Sequence, residues 1–151
     1  KMYINLGTME LSKFIAIPDL NLPELEDVRI NGGYTLSRFT FENCSNLTSL
    51  ELRNVDVGNK LNLYANTKLS KLFTYNTNII EIVSVPESLE SIFTIEEEKL
   101  TKICDLNHCK NLRIFDVVNC MISKIPALPK SLIHFACQNT LNVNIESISE
   151  S

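Results

Sequence analysis

The residues able to do chemistry in this chain are few, and their spacing limits what they could do. His108 stands between Cys104 and Cys109, with Asp105 beside the first. Thiolate, imidazole and carboxylate are the usual zinc ligands, so a zinc cluster is the first chemistry to weigh. His134 and Cys137 pair a base with a nucleophile by residue type. Glu96, Glu97 and Glu98 are consecutive carboxylates that could hold a cation. Gly7, Gly32, Gly33 and Gly58 are the only glycines, and they form no phosphate-cradling loop. Whether any of these groups converge depends on the elements that carry them.

Those elements follow from an internal repeat. Leu25, Leu47, Leu69, Leu89, Leu112 and Leu132 succeed one another at steps of 22, 22, 20, 23 and 20 residues. Three residues after each anchor stands Val28, Leu50, Leu72, Ile92, Phe115 or Phe135, and two further on Ile30, Leu52, Thr74, Thr94, Val117 or Cys137. Three before each anchor stands Leu22, Cys44, Asn66, Pro86, Cys109 or Pro129, and a degenerate earlier copy reads Tyr3-x-x-Leu6-x-Thr8. Counting the anchor as position one, the period-two geometry of a strand puts positions four and six inward and three, five and seven outward. A single copy cannot bury its apolar edge, so the copies must stack into a solenoid with one continuous core. The second halves have inward sets of their own: Leu36, Phe39 and Phe41; Leu61 and Leu63; Val83 and Val85; Ile122, Ile125 and Leu128. They are too short and too rich in β-branched residues, Asn and Pro for long helices, and extended or 3₁₀ segments are predicted there.

The L-x-x-L-x-L pattern resembles the leucine-rich repeat family from about Tyr3 to Ser151. Ile125-Pro126-Ala127-Leu128-Pro129-Lys130-Ser131-Leu132 looks like the linker of the short repeats in IpaH-type secreted effectors, with Val85-Pro86-Glu87-Ser88-Leu89 a partial copy. Phe41-Glu42-Asn43-Cys44-Ser45-Asn46-Leu47 and His108-Cys109-Lys110-Asn111-Leu112 look like the F-x-x-C-x-x-L segment of BspA-type repeats. The resemblance implies an α/β-class solenoid, mostly β and irregular with little helix: a right-handed leucine-rich-repeat horseshoe of about six to seven repeats of 20–23 residues, with parallel strands on its concave face. It would be a single domain over 1–151, with 1–24 a degenerate first repeat or cap and 25–151 the six repeats. It also implies a bacterial source, with a protist second. The ninth position, usually Asn in the family, holds Gly33, Val55, Thr77, Glu97, Cys120 and Thr140, while Asn54, Asn76, Asn119 and Asn139 come one place earlier. Glu97 fits the turn worst, and an irregular turn is expected around it.

The register then judges the chemistry. Cys109 takes the inward position of Cys44 and reads as a small core residue in preference to a zinc ligand. His134 falls outward and Cys137 inward, so the two face opposite sides of the sheet. The three glutamates read as a solvated charge cluster. Cys104-Asp105 lacks the spacing of the C-x-D motif of IpaH-type ubiquitin ligases, whose catalytic domain would lie outside this chain. No enzyme activity, metal or cofactor is expected.

Composition narrows the classes further. With 20 Leu and 16 Ile in 151 residues and 44% hydrophobic content, the chain can bury a core and is not disordered. No apolar run approaches the roughly 20 residues of a spanning helix, so no membrane role is expected. A net charge of −4 with no basic stripe argues against nucleic acid. Five cysteines, an odd count at irregular spacing, point to reduced thiols and a reducing compartment: bacterial cytoplasm, or host cytosol for a secreted effector, with the cell surface as the alternative. The sequons at Asn43 and Asn46 read as chance in a chain with 17 Asn.

What remains is the outward strand face. Position three holds Asp27, Ser49, Lys71, Ser91, Ile114 and His134; position five Arg29, Glu51, Phe73, Phe93, Asp116 and Ala136; position seven Asn31, Arg53, Tyr75, Ile95, Val118 and Gln138. The first two copies are polar, and the next three gather Phe73, Tyr75, Phe93, Ile95, Ile114 and Val118 into an exposed apolar patch. Contiguous aromatics with a polar rim typify a protein-binding surface. The expectation is a non-catalytic module that binds a protein through this face, centred on Phe73, Tyr75 and Phe93, with Arg29, Glu51, Arg53 and Asp116 as rim. A covering segment, self-association through the face, a substrate-selecting piece of a larger enzyme such as a ubiquitin-ligase effector, and a surface adhesin are the alternatives.

Overall fold

The structure, a computed structural model, describes residues 23–32 and 40–140, together with the strand backbone of 2–5 and 144–145. Its strands in chain order are β1 (Met2–Asn5), β2 (Asp27–Asn31), β3 (Ser49–Arg53), β4 (Lys60–Asn62), β5 (Lys71–Tyr75), β6 (Glu81–Ser84), β7 (Ser91–Ile95), β8 (Lys102–Ile103), β9 (Ile114–Val118), β10 (Lys124–Ile125), β11 (His134–Gln138) and β12 (Asn144–Ile145). The long sheet runs β1-β2-β3-β5-β7-β9-β11, and the return sides form a three-stranded sheet β4-β6-β8 and a pair β10-β12. Every pairing is parallel, so the chain is a β-solenoid. Among the described residues there is no helix, and the α part of the expected α/β class is not seen there. The return segments are held extended by β-branched residues and broken by Asn and Pro, which leaves no run long enough to nucleate a helix.

The repeat register appears as cross-strand register. Val28, Leu50, Leu72, Ile92, Phe115 and Phe135 stand opposite one another in succession. Leu50, Leu72, Ile92 and Phe115 are at most 1% exposed, and burying each such side chain contributes about 1.5–3 kcal/mol. The anchors Leu47, Leu69, Leu89 and Leu112 are fully buried beneath them.

The residues three before the anchors share one corner. Leu47, Leu69, Leu89, Leu112 and Leu132 each donate their backbone N–H to the carbonyl of Cys44, Asn66, Pro86, Cys109 or Pro129, at 2.9–3.3 Å. Cys, Asn and Pro interchange there because the corner uses that residue's carbonyl. Asn66 adds two bonds of its own, its buried Nδ2 donating to the carbonyls of Phe41 at 2.7 Å and Cys44 at 3.0 Å in the turn before.

Three expectations need correction. β1 pairs Met2 with Val28 and Ile4 with Ile30, four residues earlier than the Tyr3-x-x-Leu6-x-Thr8 alignment; Leu6 and Thr8 lie outside the described residues, as do Leu22, Leu36 and Phe39. Val83 is exposed and Ile82 takes the inward place, because the β4-β6 register shifts between Leu61 and Asn62 and leaves Val83 as the extra residue of a bulge. The turn at Glu96-Glu97 is regular in backbone. Asn54, Asn76, Glu96, Asn119 and Asn139 all adopt left-handed φ values of 47–55°. The N–H groups of Asn54, Asn76, Glu96 and Asn119 each reach the last strand carbonyl of the next turn at 2.9–3.2 Å. Asn is among the few residues that tolerate this conformation, and its amides link into an exposed ridge, Asn76 to Asn54 at 2.9 Å and Asn54 to Asn31 at 3.2 Å.

Candidate functional site

The outward face of the long sheet brings together the residues that the repeat register placed on it. The parallel ladders set three rows across the strands. The middle row runs Arg29, Glu51, Phe73, Phe93, Asp116 and Ala136, so the two phenylalanines are direct partners, bracketed by carboxylates. Their ring centroids are 6.2 Å apart at 34°. One flanking row sets Arg53, Tyr75, Ile95 and Val118 side by side, and the other Lys71, Ser91 and Ile114.

Phe73, Tyr75, Phe93, Ile95, Ile114 and Val118 are each half-buried on the face where an exposed apolar patch was expected, because adjacent strands bring the side chains close enough to cover part of one another. The Arg53 guanidinium lies 4.2 Å above the Phe73 ring. A cation over an aromatic face contributes about 0.5–1 kcal/mol at exposed sites. Arg53 also pairs with Glu51, which lies 3.7 Å from Arg29, and Arg29 in turn contacts Asp27 at 3.3 Å. Asp27, Arg29, Glu51 and Arg53 thus form a self-neutralising chain of charge beside the aromatic pair. On its far side, Asp116 Oδ1 lies 3.0 Å from His134 Nε2. Asp27 and Ser91 are buried although their positions face outward. The Arg29 guanidinium lies over the first, and the second is a small side chain between Lys71 and Ile114.

The candidate chemistry does not assemble. Among the described residues, no three His, Cys, Asp or Glu converge on a point that could hold a metal ion. His108 Nε2 donates to the Val85 carbonyl at 2.9 Å, with Cys109 Sγ 3.6 Å away. Burial, followed by the neighbouring Cys104 and carboxylates, pushes the Cys109 thiol up to about 12, and burial also raises Cys104. Protonated thiols are poor nucleophiles and poor ligands. His134 turns to Asp116 on the outer face, while Cys137 Sγ lies 3.0 Å from Thr140 Oγ1. The five cysteines are not bonded to one another. On the return side, a cleft of about 470 Å³ opens between β8 and β10, where Pro126 has no N–H to continue the ladder. Its Lys102 is engaged with Glu81 at 2.6 Å, and that contact holds the Glu81 carboxyl below its ordinary range.

The glutamate run departs most from expectation. Only Glu98 is exposed; Glu96 is half-buried and accepts from Asn119 Nδ2, and Glu97 is fully buried. Glu97 is the ionisable group that the strand-face reasoning missed. Its signal was the ninth-position register together with Thr74, Thr77 and Thr94, polar residues at inward places of the same two turns. No protein-family model, curated protein or solved structure matches this chain.

Proposed function

We propose that this chain is a non-catalytic protein-interaction module of the leucine-rich-repeat type, a right-handed horseshoe that binds a protein partner through its strand face. The observation that carries the reading is the Phe73–Phe93 pair, 6.2 Å between centroids, half-exposed on the face of a rigid parallel sheet. Aromatic anchors inside a polar rim carry most of the affinity of typical protein interfaces. Tyr75, Ile95, Ile114 and Val118 extend the apolar area, and Arg29, Glu51, Arg53 and Asp116 border it. The charges on the β2-β3 side satisfy one another, so contact with the apolar centre dominates recognition. The effector-like linker at 125–132 makes a bacterial secreted protein acting on a host protein the context of first choice.

The test is capture from host-cell lysate, read by mass spectrometry, for the native chain, Phe73→Thr with Phe93→Thr, and a return-side control, Lys102→Ala. Thr keeps strand propensity and avoids setting a new carboxylate beside Glu51 or Asp116. The expected result is a partner held by the native chain and the control and released by the double variant, which remains folded. Equal capture by all three would sink the proposal.

A further inference from the structure

Thr74 and Thr94 stand opposite each other on β5 and β7, fully buried, where Ile30, Leu52 and Val117 are aliphatic. Buried hydroxyls without partners are costly, so something must answer them. Thr94 Oγ1 donates to the Asp116 carbonyl at 3.4 Å, but Thr74 Oγ1 closes no hydrogen bond. The Glu97 carboxyl faces the same hydroxyl from the turn after β7. Glu97 Oε2 accepts from Thr77, from the backbone N–H at 3.2 Å and from the hydroxyl at 2.7 Å, while Oε1 closes no bond. Two buried oxygens without a closed bond therefore face each other, and the Thr74 hydroxyl can donate to the carboxyl when it is ionised or accept from it when it is neutral.

The groups around Glu97 offer no counter-charge. Thr74 and Thr77 face it from the turn before. From the turn after, Cys120 does so, its Sγ lying 3.5 Å from the Thr94 carbonyl. Cys120 is the other titratable group, and burial raises its thiol and keeps it neutral. Glu96 is turned to Asn119, while Glu98 and Lys99 are exposed. Among the described residues, no Lys, Arg or His pairs with Glu97. An uncompensated buried carboxylate is among the most expensive things a core can hold, and such a group neutralises itself by keeping its proton.

We propose that Glu97 is a buried proton-binding site in the central turns of the solenoid, its carboxyl neutral in the folded chain because the core around it supplies hydroxyls and a thiol but no counter-charge. Burial raises the Glu97 carboxyl above its ordinary value of 4.5, so the folded state holds the proton more tightly than the unfolded state. The stabilisation is complete below that ordinary value and is lost as pH rises through the folded-state value. Across that window the unfolding constant grows by up to about tenfold per pH unit. Thr74 lies between Phe73 and Tyr75, and Thr94 between Phe93 and Ile95, so the site backs the strands that carry the aromatic pair. The proposal does not depend on what binds that face.

The experiment compares denaturant unfolding of the native chain and Glu97→Gln from about pH 4 to pH 8, with a carboxyl carbon NMR titration of Glu97 in the native chain. Gln keeps an acceptor for Thr77 and offers an N–H to Thr74 at every pH. The expected result is that Glu97→Gln lacks the pH-dependent loss, that the native-to-variant ratio of unfolding constants grows with pH, and that Glu97 titrates above 4.5. Thr74→Val, which removes a hydroxyl that can donate to the ionised carboxyl, should move that titration further upward. Equal pH slopes for the two proteins, or a Glu97 carboxyl that titrates at its ordinary value, would overturn the proposal. The titration decides the matter alone if the variant fails to fold.

Discussion

Replacing Glu96 by Asn should stabilise the solenoid, and the size of the effect can be worked out from the ridge of left-handed residues. Glu96 holds φ at 55°, close to the 47–53° of Asn54, Asn76, Asn119 and Asn139, but it lacks the short amide that makes the conformation tolerable for Asn. An unsupported left-handed residue costs about 1 kcal/mol. Asn at this place would also donate to Asn76 Oδ1, as Asn76 does to Asn54 at 2.9 Å, and would still accept from Asn119. A solvent-facing hydrogen bond of this kind adds about 0.5 kcal/mol net. The total is about 1–2 kcal/mol, or a few degrees in Tm for a chain of this size. Glu96→Gln is the control, because it removes the charge and keeps an acceptor but leaves the strained backbone. Urea unfolding followed by circular dichroism should give midpoints in the order Glu96→Asn above Glu96→Gln, with unchanged slope. If the two variants unfold at the same midpoint, left-handed strain is not what separates Glu from Asn, and the reading of the ridge is wrong.

Two further outcomes follow from the core. Leu50→Ala removes a side chain 1% exposed between Val28 and Leu72 in register, and it should lower the unfolding free energy by about 2–5 kcal/mol, measured by the same melts. The Cys109 thiol, raised from 9.0 to about 12, should make the fold sensitive to alkali. The folded state keeps that proton where the unfolded state releases it, so stability is intact below about pH 9 and falls as pH rises toward about 12. Cys109→Ala should flatten that limb of the stability profile relative to the native chain.

The candidate face was legible from spacing. A period-two strand leaves no freedom in which side chains point outward once one face is apolar, so Glu51, Phe73, Phe93 and Asp116 fall in one row as soon as the leucines are aligned. The corner equivalence of Cys44, Asn66, Pro86, Cys109 and Pro129 was legible for the same reason. Val83 was not, because a bulge inserts one residue and reverses the sides without leaving a mark in the local pattern. The pairing of β1 with β2 was not legible either, since a long connection and a weak motif allow several registers.

The sequence by itself determined the stacking of turns, the inward leucines and the makeup of the outer face, because each follows from a periodicity that only one geometry can bury. Only the tertiary structure decided how much of that face remains open, since the coverage of Phe73 by Arg53 and Phe93 depends on distances between strands from different turns. It alone also decided that Glu97, one of three adjacent carboxylates that read as a solvated cluster, turns inward. The cost of burying a charge depends on what surrounds it, and Thr74, Thr77 and Cys120 reach Glu97 from other turns of the solenoid.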